Sequence, residues 1–200
     1  MATNNNLRID NAVLTFRNFA GERKMYNDEG RRNFCVYLDG FNRKGEPFEN
    51  PDYIPKYKYG PDWLGPNELI PALEADGWNV KFTKESEDGE YKARPYLKVN
   101  VKYNPAWPQF NPKVNMVKTN GEVTPLDENS VHLMDSVWIR KADVIIKPNN
   151  YEERKGIENG KVSADLKKLY VTPVEDADED DFDGRYEVSR NNDVDDVPFN

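Results

Sequence analysis

Apolar and polar residues alternate along much of the chain. In residues 33–39, Phe34, Val36 and Leu38 share one face. In residues 96–103, Leu97, Val99 and Val101 point one way and Tyr96, Lys98, Asn100 and Lys102 the other. The same period places Trp78, Val80 and Phe82 together and picks out residues 13–19, 137–147 and 166–172, with a weaker segment at 113–118. A period of two predicts half-buried antiparallel strands, with Phe16, Phe34, Trp78 and Phe82 as core. Leu69, Ile70 and Leu73 follow helical spacing instead, with Asn67 as the expected N-cap, Pro71 in an early turn and Gly77 as the stop. A shorter turn is expected over residues 129–135. Six or seven strands with one or two short helices predict a mainly β fold, a small closed antiparallel barrel with long loops.

Two loops stand out. Residues 40–66 are rich in Pro and Gly yet carry Phe41, Phe48, Tyr53, Tyr57, Tyr59 and Trp63; residues 104–112 carry Trp107 and Phe110 among three prolines. Long loops are functional or disordered, and disordered segments lack aromatics. Both are therefore expected to be ordered and ligand-facing.

Composition sharpens the division of the chain. Only 37% of the 200 residues are hydrophobic, although 4 Trp, 11 Tyr and 9 Phe argue for a packed domain. The net charge of −8 is unevenly placed: Lys and Arg number 26 against 25 acids up to Pro173, and 2 against 11 from Val174 onward. A near-neutral domain, residues 1–173, is thus followed by an acidic segment, residues 174–200, expected to be a disordered tail. That segment finishes with Asp193, Asp195, Asp196, Val197, Pro198 and Phe199. An apolar tip behind acids suits a small apolar pocket ringed by cations on a partner.

Several chemistries are excluded or unsupported. One cysteine, Cys35, precludes an internal disulfide framework, and Cys35 with His132 is too few for a Cys/His zinc site. No apolar run is long enough for a spanning helix, and the first residues lack a signal-peptide layout. Cys35 lies in a strand pattern and reads as a small buried thiol. His132 reads as a surface residue. Asp176, Asp178, Asp180 and Glu187 partly match a calcium loop, but Asp181 stands where that loop needs glycine. No catalytic residues, metal or cofactor are expected.

What remains is a binding surface. Lys56-Tyr57-Lys58-Tyr59 precedes Trp63, and Lys98, Lys102 and Tyr103 precede Trp107, Phe110 and Lys113. Cations that track phosphates beside rings that stack bases suit unpaired nucleic acid of any sequence. The expected stacking set is Tyr57, Tyr59, Trp63, Tyr103, Trp107 and Phe110. The expected phosphate set is Arg17, Lys56, Lys58, Lys98, Lys102 and Lys113.

The ending Asp193–Phe199 resembles the acidic tip of bacterial single-stranded DNA-binding proteins, although here Asn200 follows the phenylalanine. The body resembles single-stranded DNA-binding proteins of tailed phages instead. It does so in the opening Leu7-Arg8-Ile9-Asp10-Asn11-Ala12-Val13-Leu14-Thr15-Phe16, and in the blocks at residues 142–147 and 162–169. The resemblance implies an OB-fold that coats single strands in phage replication, recombination or repair, in the cytoplasm of an infected bacterium. It also implies a tail that recruits replication and repair enzymes and competes with DNA for the groove. A non-enzymatic phage structural or adaptor protein with a β-rich body is the alternative. An acidic DNA mimic would want acids over a folded face, and a metal-dependent nuclease has no supporting spacing. Pairing of edge strands would give a homo-oligomer, which the sequence leaves open.

Overall fold

In this computed structural model the described residues are 5–174, apart from positions 26, 88, 90 and 159. The acidic segment beyond Val174, with its Pro-Phe tip and partial calcium template, lies outside them. The alternating segments form β1 (Leu7–Asp10), β2 (Leu14–Asn18), β3 (Arg32–Tyr37), β7 (Pro95–Val101), β8 (Lys113–Val117), β10 (Ile139–Asn149) and β11 (Ser163–Pro173). Shorter strands are β4 (Lys56–Tyr59), β5 (Asp62–Leu64), β6 (Lys81–Phe82) and β9 (Val123–Leu126). The helices are α1 (Pro66–Ala75) and α2 (Tyr151–Arg154), and 3-10 turns cover Pro51–Tyr53, Pro108–Phe110 and Val131–Asp135.

The strands join in the order β2-β3-β7-β11-β10-β1-β4-β5, with β6 on β7 and the β8-β9 pair on β11. β1 and β2 are halves of one extended run. Ala12 N donates to Ala142 O at 2.7 Å, continuing the pairing with β10, and Tyr37 N donates to Val13 O at 3.2 Å, beginning the pairing with β3. The run changes partners at Asn11, whose φ is 56°. One strand shared between the two ends of the path wraps the sheet into an OB-like barrel.

The sheet is mixed rather than wholly antiparallel, because β11 runs parallel to both β7 and β8. Side-chain alternation reports faces, not strand direction. The long connection over residues 102–162 supplies the crossover that a parallel β7-β11 pair needs.

The inward faces match the alternation. Phe34, Val36, Leu38 and Val99 are fully buried, Leu97 and Val101 nearly so, and Phe19 stacks on Phe34 with ring centroids 5.1 Å apart. Helix α1 starts two residues earlier than expected. Gly65 is its N-cap and Glu68 Oε2 accepts from Gly65 N at 3.1 Å. It stops at Gly77, whose φ of 80° needs no Cβ; Trp78 N donates to Leu73 O and Gly77 N to Glu74 O. That cap delivers the Trp78 indole to the core, where Nε1 donates to Tyr59 Oη at 3.0 Å.

Candidate nucleic-acid interface

The OB architecture presents the outer face of its second and third strands to oligonucleotides, together with the adjoining loops. Those strands are β3 and β7 here. Their outward residues pair across the sheet as Tyr37 with Tyr96, Cys35 with Lys98, and Asn33 with Asn100. Lys81 on β6 extends the first row beyond Tyr96.

One end of this face is closed. Tyr37, Tyr96 and Cys35 are buried together, with Val13 and Phe16 packed on them. The Arg94 guanidinium lies 3.7 Å over the Tyr37 ring. It donates to Asp39 from Nε at 2.6 Å and from Nη2 at 3.0 Å, and to the carbonyls of Asn42 and Arg43. Burial pushes the Cys35 thiol up to about 12, against the smaller opposing pull of Lys98 and Lys81. A protonated, enclosed thiol is a packing residue, as its strand pattern predicts.

The other end is open and cationic. Lys98 is half-buried, whereas Arg31, Lys81 and Phe82 are exposed. Partial burial lowers the Lys98 ammonium, and the positive charges of Lys81 and Arg31 lower it further, partly offset by Cys35 and Asp28. Cations drawn together at an electrostatic cost form a surface that phosphates would relieve, and the neighbouring Phe82, which alternation in β6 turns to the opposite face from Lys81, leaves 53% of its surface in solvent at the rim.

Phe82 corrects an expectation, since the alternation placed it inside with Trp78. The phase breaks between them. Val80 N donates to Trp78 O at 2.9 Å, a three-residue turn that rotates the chain before β6 begins.

The other predicted residues scatter. Tyr57 and Tyr59 are core residues, 1% and 6% exposed, and so are not stacking platforms. Lys56-Tyr57-Lys58-Tyr59 is strand β4 itself, with lysines outward and tyrosines inward. Tyr57 Oη accepts from Gly40 N at 3.1 Å, and Tyr59 Oη donates to Asp76. Arg17 is also committed elsewhere: its Nη1 donates to Met134 O and Val137 O, both at 2.7 Å. The cause is a bulge in β2, where Phe16 takes a φ of 48° and the register with β3 shifts between Thr15 and Asn18. Lys102 Nζ meets both oxygens of Asp165, at 2.8 and 3.0 Å. Tyr103 lies half-buried under the Arg32 guanidinium, 5.6 Å from its centroid, with its phenol pushed up to about 12 by burial.

Five predicted residues keep free surfaces. Trp107 and Phe110 are 57% and 68% exposed. Lys56 and Lys113 are exposed on β4 and β8. Trp63 is 53% exposed, with Arg8 and Lys58 each 5.7 Å from its ring centroid. Only Lys98 of the predicted set belongs to the open part of the β3-β7 face. Arg8, Arg31, Lys81 and Phe82 were absent from it. Arg31 belongs to a basic cluster visible in the sequence; the others become visible only through strand register.

Among the described residues no group of three or more His, Cys, Asp or Glu side chains is placed to hold a metal ion.

No curated protein matches the chain. Among solved structures it is similar to the single-stranded DNA-binding protein from bacteriophage Enc34, in a C-terminal truncation. The two share 8% identity and a TM-score of 0.35, over 86% of this chain and 87% of the other. Residues 63–197 match a family model described as "Putative phage ssDNA-binding domain". That match runs from β5 through β11 and on into the acidic segment, well over half of the chain, and the chain belongs to this family of phage single-stranded DNA-binding domains.

Proposed function

We propose that this protein coats unpaired DNA of any sequence, as a non-enzymatic factor in phage replication, recombination or repair within an infected bacterial cytoplasm. The observation that carries this reading is the open end of the β3-β7 face, where Arg31 and Lys81 gather around Lys98, with exposed Phe82 next to Lys81 in the chain at the rim of that face. Phosphates of a single strand neutralise the cations. The phenyl ring stacks on whichever base arrives, because every base has a π-face. Duplex DNA hides its bases from such a ring. The one cysteine and the one histidine have other settings: Cys35 is enclosed, its thiol pushed up by burial, and His132 lies exposed on the Val131–Asp135 turn.

The acidic segment completes the proposal. Asp193, Asp195, Asp196, Val197, Pro198 and Phe199 dock on replication and repair enzymes, and the 11 acids of the segment compete with DNA for the cationic face.

Substitution at Lys81, Lys98 and the adjoining Phe82 tests the assignment. Phe82→Ala is expected to weaken oligo-dT binding by about 1–3 kcal/mol. Lys81→Ala and Lys98→Ala are each expected to reduce the slope of log affinity against log salt by about 0.7. Both quantities come from fluorescence anisotropy of a labelled strand. Three variants with wild-type affinity and slope would remove the interface from this face.

A further inference from the structure

The opposite wall of the barrel carries a second arrangement of cations and rings. Register across six strands places Trp63 beside Lys58, Lys58 beside Arg8, Arg8 beside Ile145, Ile145 beside Lys168, and Lys168 beside Lys113. The alternating residues Leu7, Tyr57, Val144, Leu169 and Val114 are buried, so this row faces outward. Five strand spacings give it a length of about 24 Å.

Its ends and middle are chemically distinct. Trp63 stands at one end, with Arg8 and Lys58 each 5.7 Å from its ring centroid. Arg8 is anchored by Asp10, with Nε to Oδ1 at 2.7 Å, so it fixes the indole more than it offers charge. Lys58, Lys168 and Lys113 have no acidic partner among the described residues.

At the other end the row meets an aromatic loop. The chain leaves β7, makes the excursion 102–112, and re-pairs as β8 with a later part of β11. Asn111 Oδ1 closes the base of the loop by accepting from Asn104 N at 2.7 Å. Exposed Trp107 and Phe110 are carried on this connection, between the end of β7 and Lys113 in the chain.

We infer that the row from Lys113 to Trp63 is a second contact track for the same single strand, entered over Trp107 and Phe110, so that long DNA wraps around the barrel. The inference rests on the proposed coating function and extends it. Charge complementarity selects a polyanion, and the exposed rings at both ends of the row select unpaired bases. Continuity through the loop makes it an extension of the first face rather than a separate site.

The test uses the full-length protein, a variant carrying Lys58→Ala, Lys113→Ala and Lys168→Ala, and a Trp63→Ala variant. Each is titrated with oligo-dT of about 6 and about 16 nucleotides, lengths that bracket what one OB domain covers. The short strand is expected to bind all three proteins alike, which also reports that the variants fold. The long strand is expected to lose about 5–150-fold in affinity with Trp63→Ala, the range for one stacked base. With the lysine variant its salt slope is expected to fall by about 2, corresponding to three phosphate contacts. Unchanged or tighter long-strand binding overturns the second track. Equal losses for both lengths also overturn it, by making this row the primary site. Failure of wild-type protein to bind either strand would overturn the coating function itself.

Discussion

Phe34→Ala is expected to destabilise the domain by about 3–5 kcal/mol, the range for a large aromatic removed from a packed core. Phe34 lies on β3, between β2 and β7 in the sheet. It is fully buried and stacked on Phe19, which is also fully buried, at 5.1 Å and an interplanar angle of 15°. Phe19 sits where β2 ends, and its backbone N and that of Ala20 donate to Asp135 Oδ1 and Oδ2 at 2.8 Å each. This grip leaves little freedom for the wall to collapse into the vacated space, which favours a cost in the upper part of the range. Urea unfolding followed by tryptophan fluorescence measures it. A loss below about 1 kcal/mol would show that the site relaxes freely, contrary to this packing.

Arg94→Ala is expected to cost a comparable amount, about 3–5 kcal/mol, because it strands a carboxylate. The side chains of Arg94 and Asp39 are each 13% exposed, and the two-point contact is backed by the Asn42 and Arg43 carbonyls. Removing the guanidinium leaves Asp39 poorly solvated and uncovers the Tyr37 ring. Asp39→Ala with Arg94→Ala should cost less than the sum of the two single changes, because neither charge is then left alone. Strict additivity in that cycle would mean that the pair is solvated and weakly coupled. The same contact closes one end of the β3-β7 face, so it decides which part of that face is open to solvent.

Much of this architecture is legible in the alternation of residues 33–39 and 96–103, because half-buried strands impose a period of two. The same rule fails wherever the backbone inserts or turns a residue. The bulge at Phe16 redirects Arg17 from solvent to the Met134 and Val137 carbonyls. The turn at residues 78–80 redirects Phe82 from core to solvent. In β4 the alternation of Lys56 to Tyr59 is plain in the sequence, but the flanking prolines and glycines carry the signature of a loop, whose rings would face a ligand, whereas the strand turns both tyrosines into the core. The cross-strand row is different in kind. Arg8, Lys58, Lys168 and Lys113 are far apart in sequence, and only strand order and register bring them together. A parallel pairing such as Lys168 with Lys113 leaves no local trace in either segment.

The most direct test of the central claim is a titration of the intrinsic tryptophan fluorescence with oligo-dT and with duplex DNA of equal length. It is made for the full chain and for a chain ending at Val174, at two salt concentrations. The coating function predicts quenching by the single strand and not by the duplex, weakening as salt rises. Competition from the acidic segment predicts tighter binding in the shortened chain, most strongly at low salt. Equal responses to single strand and duplex, or none to either, would contradict the account.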